Sequence, residues 1–388
     1  MCIKNKIGIF SFFSGAGFLD LGFELSGFYD ILFVNEFHKA FMDTYQYSRK
    51  RMNIPEPKFG YHLRDVTTFL EKEATSKLKM DLAQAKQQYR LIGFIGGPPC
   101  PDFSVGGKNK GREGENGKLS ETYIKLITRI KPDFFLFENV KGLYRTAKHR
   151  EFFDELKKKL YNAGYYLTEK LINSLEYGAP QNRERIILIG FHKNILLHYK
   201  CNIKGTKDLP EFNWNTHIRF NIDDIQKAIW PEQDEFIENS EKENCLDIFK
   251  ELTVEYWFRK NNVTNHPNAT NYFQPKAGLK KFKSIPEGDD SKKSYKRLHR
   301  WRYSPTAAYG NNEVHLHPYK ARRLSVAEAL AIQSLPPSYA LPNSISLSDM
   351  FKTVGNGVPF LAAKGLALTI NNYITTIENN KRNEIDCE

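Results

Sequence analysis

Five short apolar runs, at residues 7–13, 31–34, 91–96, 134–137 and 186–190, constrain the fold of this chain more than any other feature. Rich in Ile, Phe and Leu and bounded by Gly, Asn or charged residues, they read as strands covered on both faces. Between them, segments such as residues 122–130 and 152–161 carry apolar residues at helical spacing. Strands and amphipathic helices in alternation make βαβ units, so the expected class is α/β, with a doubly wound, mostly parallel, Rossmann-like sheet. From about residue 196 the rhythm fails; Asn, Lys and aromatic residues take over, with turn signals at Gly205, Pro231, Pro267, Pro275 and Pro286. The expected organisation is therefore a main domain from residues 1–195, a smaller inserted domain from 196–303, and a return to the main domain over 304–388. Two helix-like segments, 325–333 and 358–368, fall in the return. Residues 72–88 form a polar, helix-prone insertion with no assigned role.

A chain of 388 residues can bury such a sheet without covalent staples. Its five cysteines, Cys2, Cys100, Cys201, Cys245 and Cys387, contain no Cys-x-x-Cys pair, which argues against a disulfide framework and a cysteine-rich zinc site. No leader-like apolar stretch opens the chain and no run approaches the ~18 apolar residues of a membrane span, so a soluble, cytoplasmic protein without bound metal is expected. Lys and Arg outnumber Asp and Glu by 57 to 45, which suits a polyanionic partner. The excess is local: residues 276–323 hold thirteen basic against four acidic residues, interleaved with Tyr295, His299, Trp301, Tyr303 and Tyr309. That mixture resembles a nucleic-acid surface, or else a solvated loop. Residues 232–255, with nine acidic residues against Lys242 and Lys250, are expected to face away from phosphates.

Two strand ends carry chemistry. The first strand runs into Phe13-Ser14-Gly15-Ala16-Gly17-Phe18-Leu19-Asp20, a turn that lets a ligand approach the backbone closely. Glu36 ends the second strand twenty-one residues after Gly15, where a carboxylate can accept from ribose hydroxyls. The spacing is Gly-x-Gly-x-x-Asp, without the third glycine of a pyrophosphate site, so a nucleoside cofactor lacking phosphates fits better than NAD. Asp65 could accept from an adenine amine. After the third apolar run, Gly97-Pro98-Pro99-Cys100-Pro101-Asp102 sets one thiol in a turn stiffened by proline. A buried, inert cysteine is the plain alternative.

Six separated motifs, in one order, give the chain a resemblance to the cytosine-5 DNA methyltransferases of bacterial restriction-modification systems. Phe13-Ser14-Gly15-Ala16-Gly17 is similar to that family's S-adenosylmethionine turn, Pro98-Pro99-Cys100 to its nucleophile, and Glu138-Asn139-Val140 to its acid. Gln181-Asn182-Arg183-Glu184-Arg185 resembles its Gln-x-Arg-x-Arg segment. Arg323-Leu324-Ser325 with Glu328 and Gln333 resembles its late helix, and Gly355-Asn356-Gly357-Val358-Pro359 its closing motif. The resemblance covers about residues 6–368 apart from the inserted region and residues 72–88. It implies Cys100, Glu138, Arg183 and Arg185 as catalytic residues, with Arg183 holding the pyrimidine oxygen or the cysteine loop and Arg185 steadying the site. It implies S-adenosylmethionine as cofactor, held by Phe13, Gly15, Ala16, Gly17, Glu36, Asp65, Pro98, Asn356 and Val358.

Duplex DNA is the implied partner, with the target base flipped out of the stack. Residues 104–119, with five glycines among Lys108, Lys110 and Arg112, have the composition of a mobile lid that touches phosphates. The inserted domain would read base edges. Ser104, Lys108, Lys110, Arg112, Gln181, Arg297, Arg300, Arg302 and Tyr309 are the expected DNA contacts. A monomer is expected, with a cognate restriction endonuclease acting separately. Pro101 and Ser325 depart from residues frequent in the family, Gln and Thr, and the inserted region matches no recognition domain residue by residue, so the recognition sequence stays open. A tRNA-methylating relative and a non-catalytic DNA regulator are the rival readings.

Overall fold

The computed structural model describes residues 5–99, 115–243, 248–275, 278–292, 294–307, 309 and 314–385. Seven strands form one sheet: β1 (Ile7–Phe12), β2 (Tyr29–Glu36), β3 (Tyr61–Leu63), β4 (Ile92–Gly96), β5 (Phe134–Val140), β6 (Tyr165–Asn173) and β7 (Glu184–His192). Their order is β3-β2-β1-β4-β5-β7-β6. All neighbours pair in parallel except β7, which runs antiparallel to both β5 and β6. The mostly parallel α/β expectation holds.

The helices are α1 (Phe18–Glu24), α2 (Lys39–Arg51), α3 (Lys72–Gln88), α4 (Glu115–Ile130), α5 (Lys141–Arg145), α6 (Ala147–Asn162) and α7 (Lys193–His198), then α8 (Ile222–Lys227), α9 (Val254–Lys260), α10 (Leu279–Ser284), α11 (Val326–Ile332), α12 (Leu347–Asn356) and α13 (Phe360–Ile385). None among the described residues is long and apolar enough to cross a membrane.

Helices cover both sheet faces. One core joins Ile9, Ile95, Leu136 and Ile189 to α13 through Ala363, Leu366 and Ile370. The other joins Phe10, Phe12, Phe94 and Phe137 to α3, α4 and α6. Side chains such as Phe10 and Phe94 are wholly buried, and each contributes roughly 2–3 kcal/mol of transfer free energy. The polar stretch at residues 72–88 is α3 itself, amphipathic enough to bury Leu78, Leu82 and Ala85 against that face. A third core, from Val254, Trp257, Leu298, α11 and α12, meets Phe18 and Leu21 of α1. Residues 201–218 of the inserted stretch pack on the first core through Cys201, Ile203, Leu209, Phe212 and Trp214.

Candidate active-site cleft

β1 and β4 are adjacent and parallel, and at their carboxyl ends a cleft of about 1910 Å³ opens between the sheet and the segments after residue 273. Its first wall is the turn after β1. Phe13 there has a φ of 53°, a left-handed conformation that an aromatic residue holds only when its surroundings impose it. Ser14 is anchored to β2 by its amide and its hydroxyl, each donating to Asn35 O at 3.1 Å. Gly15 N donates to Glu36 Oε2 at 2.8 Å, and the other carboxylate oxygen accepts from Phe37 N and His38 N at 2.9 and 2.8 Å. Glu36 is thus fixed at the end of β2 as the spacing predicts. Asp65 caps a short helical turn, with Oδ1 accepting from Thr67 N at 2.7 Å and Thr67 Oγ1 at 2.6 Å.

Of the predicted cofactor residues, Phe13, Gly15, Ala16, Glu36, Asp65, Pro98, Asn356 and Val358 line the cleft. Gly17 stands behind it: φ is 77°, and an added Cβ would lie 2.4 Å from the Tyr45 ring. Phe37 and Thr353 are among the wall residues that the sequence did not point to. Phe37 is 71% exposed although it is aromatic and lines the cleft; its place directly after the strand-ending Glu36 was the available signal. Thr353 also lines the cleft, its Oγ1 buried with no hydrogen-bond partner among the described residues.

The second wall comes from β4 and β5, paired in parallel with Gly96 opposite Phe137. This register sets Glu138 beside Gly97. A Cβ on Gly97 would lie 2.6 Å from Glu138 Oε2, so only glycine allows the carboxylate that close. Asn139 Nδ2 reaches Pro98 O at 3.5 Å, and Cys100 follows outside the described residues. Glu138 Oε1 pairs with Arg185 Nε at 2.9 Å. Arg183 does different work. Buried to 3% exposure, it donates to Ala307 O at 2.9 Å and Gly355 O at 3.0 Å, stitching two loops together. Burial and the neighbouring Arg185 charge drive its pKa well down. Arg185 thus meets the Glu138 carboxylate, while Arg183 holds the loops at Ala307 and Gly355. Glu184, between them, points the other way, to Lys141 and Arg145.

The expected DNA contacts divide sharply. Ser104, Lys108, Lys110 and Arg112 lie outside the described residues. Gln181 is fully buried, its amide donating to Gln333 Oε1 at 3.2 Å and accepting from Ala307 N at 3.0 Å. Tyr309 is 2% exposed and packed against His315 and Phe351, and it lines the cleft. Arg297 is fully buried, and its guanidinium donates to the carbonyls of Phe282, Ile285, His317 and Lys320. Burial brings its pKa down to about 10. Arg300, 2% exposed, pairs with Glu287 at 2.8 Å and with Ser240. Gln181, Arg297 and Arg300 thus spend their donors on the protein interior. Arg302 stays partly exposed, and Lys296 lines the cleft. The acidic stretch lies against the basic one: Glu238 pairs with Lys283, Asp234 lies 3.6 Å from the His299 ring, and Asp234 and Glu287 exchange backbone hydrogen bonds.

Comparison with known proteins identifies the family. The family profile for C-5 cytosine-specific DNA methylases matches residues 7–372. The type II methyltransferase M.NmeDI of Neisseria meningitidis serogroup C is 59% identical over 371 residues, covering 96% of this chain and 85% of that protein. M.FnuDI of Fusobacterium nucleatum, also a type II methyltransferase, is 30% identical with 96% and 97% coverage. Among solved structures, a prophage-encoded DNA modification methyltransferase of E. coli superposes with a TM-score of 0.62 at 19% identity, covering 95% of this chain and 99% of its own. The Dnmt2 methyltransferase of S. pombe gives 0.57 at 13% identity, with 95% and 99% coverage. The chain belongs to the C-5 cytosine-specific DNA methylase family and is a DNA cytosine-5-methyltransferase.

Proposed function

We propose that the enzyme moves a methyl group from S-adenosylmethionine to carbon 5 of a flipped cytosine, at one short duplex site, through a covalent bond to Cys100. One observation carries the reading. Glu138, paired with Arg185, lies against Gly97 in the turn that leads to Cys100. Carbon 5 of cytosine is a poor nucleophile until a thiolate adds at carbon 6. As the Cys100 sulfur bonds to carbon 6, electron density moves into the ring, and Glu138 as a carboxylic acid gives a proton to N3. Arg185 holds that carboxyl in place. After carbon 5 gains its methyl group it loses its proton to solvent, the ring double bond re-forms, Cys100 leaves as thiolate, and N3 returns its proton to Glu138.

The cleft suits the cofactor. S-adenosylmethionine, when bound, supplies a methyl group on an electrophilic sulfonium. Glu36 and Asp65 share one wall, a pair that suits ribose hydroxyls and an adenine amine and disfavours phosphate. Exposed Phe37 offers a stacking face. Phe13, Gly15 and Ala16 supply the close turn, and Pro98, Asn356 and Val358 flank it.

Attack at carbon 6 comes from above the ring plane, which a stacked base forbids, so the base is flipped. Ser104, Lys108, Lys110 and Arg112 are assigned to the covering loop, and residues 196–303 to the recognition domain. Its reading surface begins after Ile218, because the residues before it are committed to the sheet core. Phe273 and Lys296 bring that side to the cleft. Since M.NmeDI and M.FnuDI are type II methyltransferases, we place the chain in a restriction-modification system, as a cytoplasmic monomer beside a separate endonuclease.

The test is a trap. Fluorine at carbon 5 cannot leave as a cation, so duplex DNA synthesised with 5-fluorocytosine stalls the reaction after methyl transfer. A denaturation-resistant adduct mapped by mass spectrometry to Cys100 is expected, and its absence from a protein that methylates ordinary duplex DNA would refute the covalent route. Methylation of tRNA but not of duplex DNA would overturn the substrate.

A further inference from the structure

Behind the cofactor turn, outside the cleft, lies a buried charged network. Arg49 is 1% exposed and Asp20 and Tyr339 are fully buried. Arg49 Nη2 donates to Gly17 O at 2.7 Å, while its Nε pairs with Glu24 at 2.8 Å. The Tyr339 hydroxyl donates to Ala16 O at 2.8 Å. Asp20 accepts from Ser11 Oγ and from Tyr45 Oη, each at 2.9 Å, and the Tyr45 ring lies 4.2 Å from the Arg49 guanidinium.

Such a network is a poor way to stabilise a fold. Burying Arg49, Glu24 and Asp20 costs desolvation that an apolar cluster of similar volume would avoid. Its position gives it a different use. The turn holds three left-handed residues, Phe13, Gly15 and Gly17, with φ of 53°, 56° and 77°. The two glycines adopt it freely, but Phe13 keeps it only where the surroundings over-determine it. The two adjacent carbonyls held by Arg49 and Tyr339 fix two consecutive planar peptide units, and with them the opposed N–H groups. Ala16 and Phe18, on either side, line the cleft.

We propose that Arg49 and Tyr339 are positioning residues for S-adenosylmethionine, holding the Ala16 and Gly17 carbonyls from behind so that the turn keeps its binding shape. This rests on the cofactor reading above. Neither residue touches the cofactor, and neither takes part in methyl transfer once the cofactor is bound.

The experiment measures S-adenosylmethionine binding to the full chain by calorimetry, without DNA, and separately kcat at saturating cofactor. Tyr339→Phe removes one hydroxyl. It is expected to raise the Kd about five- to tenfold, the range of one buried hydrogen bond, with kcat within about twofold of the parent. Tyr29→Phe is the control. Tyr29 is equally buried and donates to a carbonyl in the same way, to Ala367 O at 2.7 Å, but it lies away from the cleft. That variant should lose similar thermal stability and keep the parent Kd. Arg49→Lys keeps a charge for Glu24 but loses the fork that reaches Gly17 O, and should weaken binding by about tenfold or more. A parent-like Kd in Tyr339→Phe, with a lowered Tm like that of Tyr29→Phe, would overturn the proposal even if Arg49→Lys does not fold. A parent that binds no S-adenosylmethionine would instead remove the cofactor reading, and this inference with it.

Discussion

The cleft at the carboxyl ends of β4 and β5 and the basic stretch at residues 276–323 both gather arginines and acids, yet they use them in opposite ways. In the cleft, Glu138 and Arg185 pair on the wall of a cavity large enough for a cofactor and a base. In the basic stretch, Arg297 and Arg300 are sealed among carbonyls and Glu287, and Arg322 is held by Glu328. The first arrangement leaves chemistry facing a ligand; the second spends its charge on holding loops together. Thirteen basic residues in one stretch therefore overstate the charge available to DNA.

The comparison breaks most readily at its reactive end. Cys100→Ala should abolish methyl incorporation while S-adenosylmethionine still binds with parent affinity by calorimetry; normal turnover would remove Cys100 from the mechanism. Glu138→Gln should lower kcat by about 10²- to 10⁴-fold, the usual worth of a general acid, with cofactor affinity little changed. In the basic stretch the expected loss is stability. Arg300→Met strands the buried Glu287 and should cost about 3–5 kcal/mol in denaturant unfolding, with the DNA salt slope unchanged. Lys296→Ala, at the cleft, should lower duplex affinity and flatten that slope by about one ion. The reverse pattern in these two variants would put Arg300, and not Lys296 at the cleft, on the DNA.

The smallest effect is a pH dependence. Burial pushes His315 from 6.5 down to about 3, and partners hold the buried Glu328 carboxyl well below its ordinary range against the cost of burial. Between pH 6.5 and about 3 the unfolded chain binds a proton at His315 that the folded chain refuses. That stability is complete above pH 6.5 and falls on acidification, by up to about 1.4 kcal/mol per pH unit. Glu328 adds to the loss only below its unfolded value of 4.5. Urea melts at pH 7 and 5.5 check it; equal stability would mean that His315 is solvated.

What the sequence exposes follows from burial. β1, β4 and β5 are covered on both faces, so their apolar runs announce them, and Glu36 and Glu138 are found by standing where those runs end. β3 has three residues at the sheet edge, and β6 interrupts its burial along its length, so neither leaves a continuous apolar signature. The reversal of β7 is set by its pairing with β6, a contact no local pattern encodes. Arg183 and Arg185 share a motif and a spacing, but the fates that separate them, two loop carbonyls for one and Glu138 for the other, lie 124 and 172 residues away for the first and on the neighbouring strand β5 for the second. Gln181 reads as polar and exposed until Gln333 and Ala307 close over it. Composition likewise cannot tell a solvated arginine from one such as Arg297.

The most direct measurement incubates the folded protein with methyl-labelled S-adenosylmethionine and unmethylated genomic duplex DNA, then maps 5-methylcytosine by bisulfite sequencing. Protection of one cytosine within a single short motif is the expected result. No 5-methylcytosine from protein that is folded and binds the cofactor would contradict the account.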